Sequence, residues 1–207
     1  MKTRIHKSKG YFLRITSLET LGGAHFSPSF PLENQQGLPV TLNQLKGRVV
    51  LLVPFLTSCQ EECPITTAAL LAVHRTIVSE RLSKKVAILE ITVDPGRDTP
   101  QRMTAYARLT ESNWPLLTGS PAVLATLWHY FGIYYQKVPE GSPPGIDWET
   151  HLPYTYDVDH SDGFVLLDSG LHVSKRVEYF RYVGHDAPVG CRRHGAIGQC
   201  GDVHLEG

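Results

Sequence analysis

The sequence predicts an α/β domain, a central mixed sheet with flanking helices and an N-terminal β-hairpin, and three observations carry that prediction. Val49 to Phe55 is a dense run of branched apolar side chains bounded by Gly47-Arg48, the pattern of a strand buried on both faces. An apolar-periodic segment follows from Ile65 to Leu82, with Leu70, Val73 and Ile77 at helical spacing. A second core strand, Lys85 to Asp94, then completes a right-handed strand-helix-strand unit.

The remaining elements follow from local signals. Residues 1–21 read as an N-terminal arm in which Tyr11, Phe12, Leu13 and Ile15 suit a short strand. Phe30 to Leu42 has a turn-forming centre at Asn34 to Gly37, and Pro31 and Pro39 give this small hairpin an edge character. Leu42 to Gly47 is one helical turn stopped by glycine. After the second core strand, Asp94 to Pro100 forms a turn that ends in a helix start, because Thr99 can cap and Pro100 suits the first helical position. That helix extends to about Leu109.

Trp114 to Thr118 is a short strand leading into a third helix, capped by Ser120, begun by Pro121 and stopped by Gly132. Its stripe is Val123, Leu124, Leu127 and Phe131, and Trp128 and Tyr130 read as packing residues. Ile133 to Val138 resumes a strand, and Pro139 to Ile146 is a Pro/Gly loop suited to motion or partner contact. A segment carrying His160 comes next. It leads through a turn at Ser161 to Gly163 into a strand from Phe164 to Leu167, a tight turn at Asp168-Ser-Gly170 and a paired strand from Leu171. Residues 22–184 thus read as one domain and residues 185–207 as a Gly/Cys/His-rich tail.

Composition bounds the function. A chain of 207 residues with 42% hydrophobic and 19% charged residues can bury about 70% of its unfolded surface in a single core, without staples. Lys plus Arg and Asp plus Glu number 20 each, and with no localised basic stripe the expectation is no nucleic-acid partner. No apolar run approaches the roughly 20 residues of a membrane span. The basic start, Met1 to Lys9, is not followed by the apolar core of a signal peptide. A membrane tether, if there is one, lies outside this sequence.

Chemistry concentrates at Leu56-Thr-Ser-Cys-Gln-Glu-Glu-Cys-Pro64. Cys59 and Cys63 sit where a core strand hands over to a helix, whose unpaired N–H groups and positive dipole end favour a thiolate. Four residues apart, they can face one side and either close a disulfide or bind one soft cation. Glu61 and Glu62 oppose thiolate formation, and a bound cation supplies the compensating charge. Asp94 and Asp98 fall near the carboxyl end of the sheet, where α/β proteins bind ligands; they serve either to orient a ligand loop, with Arg97 pairing with one of them, or simply as turn and capping residues. His160 sits among polar residues ahead of a strand, unlike a histidine on a core stripe.

Three separated stretches, Thr57 to Pro64, Val93 to Pro100 and Val158-Asp-His-Ser161, together resemble the Sco/SenC family of copper-binding thioredoxin-fold proteins, over roughly residues 27–183. The resemblance implies a thioredoxin-like fold and copper, as Cu(I) or Cu(II), held by Cys59, Cys63 and His160, with Asp94 and Asp98 in support. It implies a copper metallochaperone that assists assembly of the cytochrome oxidase copper site. Its partners would be the cytochrome c oxidase copper subunit and a copper donor protein or thiol reductant. The implied location is the extracytoplasmic side of a bacterial membrane or the mitochondrial intermembrane space. Two thiolates and an imidazole suit soft Cu(I) at low coordination number. The rival reading is a thiol–disulfide oxidoreductase in which Cys59 attacks and Cys63 resolves.

The expected thioredoxin-type helix after the last hairpin has no counterpart in the sequence, because Gly184 to Gly201 lacks a helical stripe. Residues 174–184, the amino-terminal arm or a second subunit must then cover that sheet face. The tail holds Cys191, His194, Cys200 and His204, which suit disorder, a disulfide or a second metal site.

Overall fold

A computed structural model of the chain describes residues 2–8, 11–17, 30–60 and 62–181; the tail cysteines and histidines lie outside them. In chain order the elements are β1 (Lys2–Ser8), β2 (Tyr11–Ser17), β3 (Leu32–Asn34), β4 (Pro39–Val40), β5 (Val49–Phe55), α1 (Glu62–Ser79) and β6 (Val86–Thr92). Then come α2 (Pro100–Thr110), β7 (Leu116–Thr118), α3 (Pro121–Phe131), β8 (Tyr135–Val138), β9 (Asp157–His160), β10 (Gly163–Leu167) and β11 (Val173–Arg181). Strand order in the main sheet is β1-β2-β11-β10-β5-β6-β7-β3-β4. Strand β6 runs parallel to both β5 and β7, and the other pairs are antiparallel, so the sheet is mixed as the sequence predicts.

The unbroken apolar runs become the two central strands because alternate residues feed two cores. Val50 and Leu52 of β5, Leu89 and Ile91 of β6 and Leu117 of β7 pack with Leu124, Leu127, Trp128 and Phe131 of α3. On the opposite face Val53, Phe55, Ile88 and Leu116 meet Leu70 and Ile77 of α1 and Met103 and Tyr106 of α2. Trp128 is fully buried and donates its indole N–H to the Thr92 carbonyl at 3.0 Å, which settles it as a packing residue. Both capped helices start where expected: Thr99 accepts from the Arg102 N–H and Ser120 from the Val123 N–H. Gly132 ends α3 with φ +65°, the left-handed stop that glycine adopts without strain.

Several expectations change. Helix α1 starts three residues before Ile65, which places Cys63 inside its first turn. Its buried line is Cys63, Thr67, Leu70 and Ile77, whereas Val73, assigned to the apolar stripe, is 41% exposed. The His160 segment is itself a strand, β9, and pairs with β8 outside the main sheet. Residues 174–181 cover no sheet face. They belong to β11, which extends the sheet in its own plane, with β2 paired to β11 and β1 to β2. Backbone pairing is satisfied edge to edge there, so of the three covers considered, residues 174–184, the amino-terminal arm or a second subunit, the first lengthens the sheet over its described part instead. Among the described residues no helix is long and apolar enough to cross a membrane.

Candidate functional site

Strand β5 ends at Phe55, and the chain turns through Leu56 to Cys59, where the Cys59 N–H donates to the Leu56 carbonyl at 3.3 Å. Cys59 is half-buried and Cys63 buried, and both are free thiols. The Cys63 N–H donates to the Cys59 sulfur at 3.3 Å, so one cysteine satisfies an orphan amide of the helix turn that carries the other. Hydrogen bonding to Cys59 and then burial push the Cys63 thiol well above its ordinary value. Cys63 is the inner, buried member of the pair and Cys59 the more exposed one.

Thr57, two residues before Cys59, fixes this loop. Its N–H points at both Asp98 oxygens at 3.3 Å, and its hydroxyl donates to Asp98 at 2.5 Å while accepting from Arg102 Nε at 2.6 Å. Its carbonyl accepts from the Trp148 indole at 2.7 Å. Asp98 also takes a short hydrogen bond from the Thr92 hydroxyl at the end of β6. Burial pushes the Asp98 carboxyl up to about 6, against the opposing pull of the Thr57 and Thr92 hydrogen bonds.

Asp94 braces a different segment. It pairs closely with Arg97 and accepts from the Tyr156 hydroxyl at 2.9 Å, while Arg97 Nη1 donates to the Tyr156 carbonyl at 3.0 Å. Two cations lie over the Tyr156 ring, Arg97 at 4.0 Å and Lys137 at 4.1 Å from its centroid. One turn, residues 94–98, therefore grips the cysteine loop through Asp98 and the root of β9 through Asp94. His160 ends β9 opposite Tyr135, and its Nδ1 lies 3.0 Å from the Ser161 carbonyl. A carbonyl only accepts, so a neutral ring carries its proton on Nδ1 and keeps the Nε2 lone pair.

The structure brings Cys59 and Cys63 together and ties Asp94 and Asp98 to the two segments that flank the mouth. It does not bring His160 into a compact ligand set: among the described residues, no three His, Cys, Asp or Glu side chains stand close enough to hold a metal ion. Sequence reasoning missed Arg102, Trp148 and Tyr156. Arg102 is salt-bridged to Asp147 at 2.9 Å and Glu149 at 3.2 Å and lies against the Trp148 ring. The Gln60 side chain donates to the Ile146 carbonyl at 2.6 Å. Residues 146–149 thus form a cover over the cysteine loop. The signal available was a tryptophan between two acids in a Pro/Gly loop; nothing in the sequence paired it with Arg102.

A parallel core framed by helices, with a free thiol pair at the end of its central strand, defines a thioredoxin-like dithiol protein. The sequence profile of SCO1/SenC matches residues 19–184, and the chain belongs to that family. It is 34% identical over 143 residues to the SCO1 protein homolog of Bacillus subtilis, covering 67% of this chain and 70% of that one. It is 27% identical over 176 residues to the mitochondrial SCO1 homolog 1 of Arabidopsis thaliana, covering 85% of this chain and 47% of that protein. The aligned region therefore spans between 47% and 70% of the length of these relatives. The copper-bound structure of Bradyrhizobium japonicum ScoI aligns with a TM-score of 0.59 at 29% identity, over 71% of this chain and 85% of that one.

Proposed function

We propose that this chain is a copper metallochaperone that holds copper through Cys59, Cys63 and His160 and passes it toward the copper site of cytochrome oxidase. The observation that carries the reading is the free, closely spaced pair at the strand-to-helix handover, with one thiol buried and the other at the mouth. Two sulfurs and a neutral imidazole form a soft, low-coordinate set suited to Cu(I), and an open mouth suits ligand exchange with a second thiol pair. The Nδ1 contact of His160 leaves Nε2 as the ligating atom. Because the three groups are not gathered among the described residues, holding copper through all three would require β9 and the cysteine loop to approach each other. The turn at 94–98 is braced to both segments.

Related proteins are crystallised with copper and named as mitochondrial, which supports copper as the cargo and an extracytoplasmic compartment as its place of work. The reduced protein is expected to bind about one Cu(I) per chain, to lose it on Cys59→Ser or Cys63→Ser, and to hold it more weakly on His160→Ala. Stoichiometry measured by metal analysis and unchanged in both cysteine variants would defeat the proposal.

The division between an accessible Cys59 and a buried Cys63 also suits a thiol–disulfide oxidoreductase, with Cys59 attacking a substrate disulfide and Cys63 resolving the mixed disulfide. Turnover of a disulfide substrate by metal-free protein, abolished by Cys59→Ala, is the result expected on that reading.

A further inference from the structure

We propose that Arg102 is a positioning residue for the Cys59–Cys63 pair, acting through Thr57 to hold the loop in its dithiol geometry. The inference rests on the reading that these two cysteines are the reacting pair. Every polar group of Thr57 is held by a side chain from elsewhere in the chain: Asp98, Arg102 and Trp148, none nearer than 41 residues in sequence. Thr57 is 1% exposed and Arg102 is 7% exposed. A buried guanidinium is costly unless its donors are matched; Nη2 of Arg102 has no hydrogen-bond partner among the described residues, and its other two nitrogens are divided between two tasks. Its Nε donates to the Thr57 hydroxyl, and its Nη1 reaches Asp147 and Glu149 on the cover segment. A lysine offers a single nitrogen and cannot span both.

The constraint passes from Thr57 to the thiols through two short links. The Cys59 amide is bonded back to Leu56, so immobilising Thr57 fixes the backbone of Cys59. The Cys59 sulfur then accepts the Cys63 amide. Oxidation must bring Cys59 Sγ to about 2.05 Å from Cys63 Sγ, whereas the clamped loop holds the two sulfurs unbonded. The clamp therefore stabilises the dithiol relative to the disulfide, and loosening it favours oxidation.

The test uses the metal-free 207-residue chain equilibrated with glutathione. In this reaction the protein disulfide takes two electrons and two protons from two glutathione thiols, giving two protein thiols and glutathione disulfide. Thiol content is read after acid quenching and alkylation, for wild type, Arg102→Lys, Thr57→Val and the double variant. Each single variant is expected to shift the equilibrium about tenfold toward the disulfide, a fall of about 30 mV in potential. The double variant is expected to shift no further than the larger single effect, because both remove the same contact. Constants within about twofold of wild type in both folded single variants, or shifts that add in the double, overturn the proposal. Should one single variant fail to fold by near-ultraviolet circular dichroism, the other decides by the same threshold. Since no copper is present, an unshifted potential sinks only the role of Arg102, whereas unchanged copper stoichiometry in the cysteine variants sinks the functional reading.

Discussion

Asp98 accepts from one buried amide and two buried hydroxyls, and all three donors belong to residues that end strands or begin the thiol loop. Asp98→Ala strands those donors in a dry interior, so a loss of about 2–4 kcal/mol is expected, read by urea unfolding. The thiol loop should loosen with it, and Cys59 should react faster with an alkylating reagent. How far this residue was legible follows from its chemistry. An aspartate before Thr-Pro fits turn chemistry as well as site support, and only the fold shows that Asp98 binds a residue 41 positions away. The sulfur pair was easier to read, since two cysteines at a strand end have few structural uses. Arg102 was beyond reach, because its partners Thr57 and Asp147 lie 45 residues to either side and no local pattern marks a charge that folds inward.

Strand β6 carries an acid in the middle of the sheet. Glu90 is 1% exposed and accepts from the Trp114 indole at 2.7 Å. Burial pushes its carboxyl up from 4.5 to about 7, with the indole bond opposing. The folded chain holds this proton more tightly than the unfolded chain, so the favourable contribution is complete below pH 4.5 and disappears as pH rises through about 7. Asp98 adds a shift of the same sign between 3.8 and about 6. Glu90→Gln keeps an oxygen for Trp114 and removes the ionisation. It should raise Tm at pH 8 and change it little at pH 4.5, and equal Tm shifts at both values would contradict the assignment. Scanning calorimetry at the two pH values decides it. β6 itself was legible, since two-sided burial writes Val-Ala-Ile-Leu around the single acid; β9 was not, since Asp157-Val-Asp-His160 carries only one residue of strand-like character.

Across the whole molecule the sheet is uneven in support. β5 and β6 lie between two packed faces, while β1 is an outer strand whose described pairing is to β2 alone. Amides of β5 and β6 should therefore exchange last, near the global unfolding limit, and those of β1 first, by hydrogen exchange read with mass spectrometry. Central elements were readable because their signals are local: apolar runs, caps at Thr99 and Ser120, and a stop at Gly132. Long-range pairing was not, since nothing in Tyr11 to Ser17 names Arg176 to Arg181 as its partner.

The indole of Trp148 has one further use. Trp114 and Trp128 are sealed in the two cores, whereas Trp148 lies 4.9 Å from a guanidinium and is tethered to the cysteine loop itself. Any rearrangement of that loop must alter the surroundings of this ring and leave the other two nearly untouched. The chain thus contains its own fluorescent gauge, and the emission change on oxidation or metal uptake should vanish in Trp148→Phe.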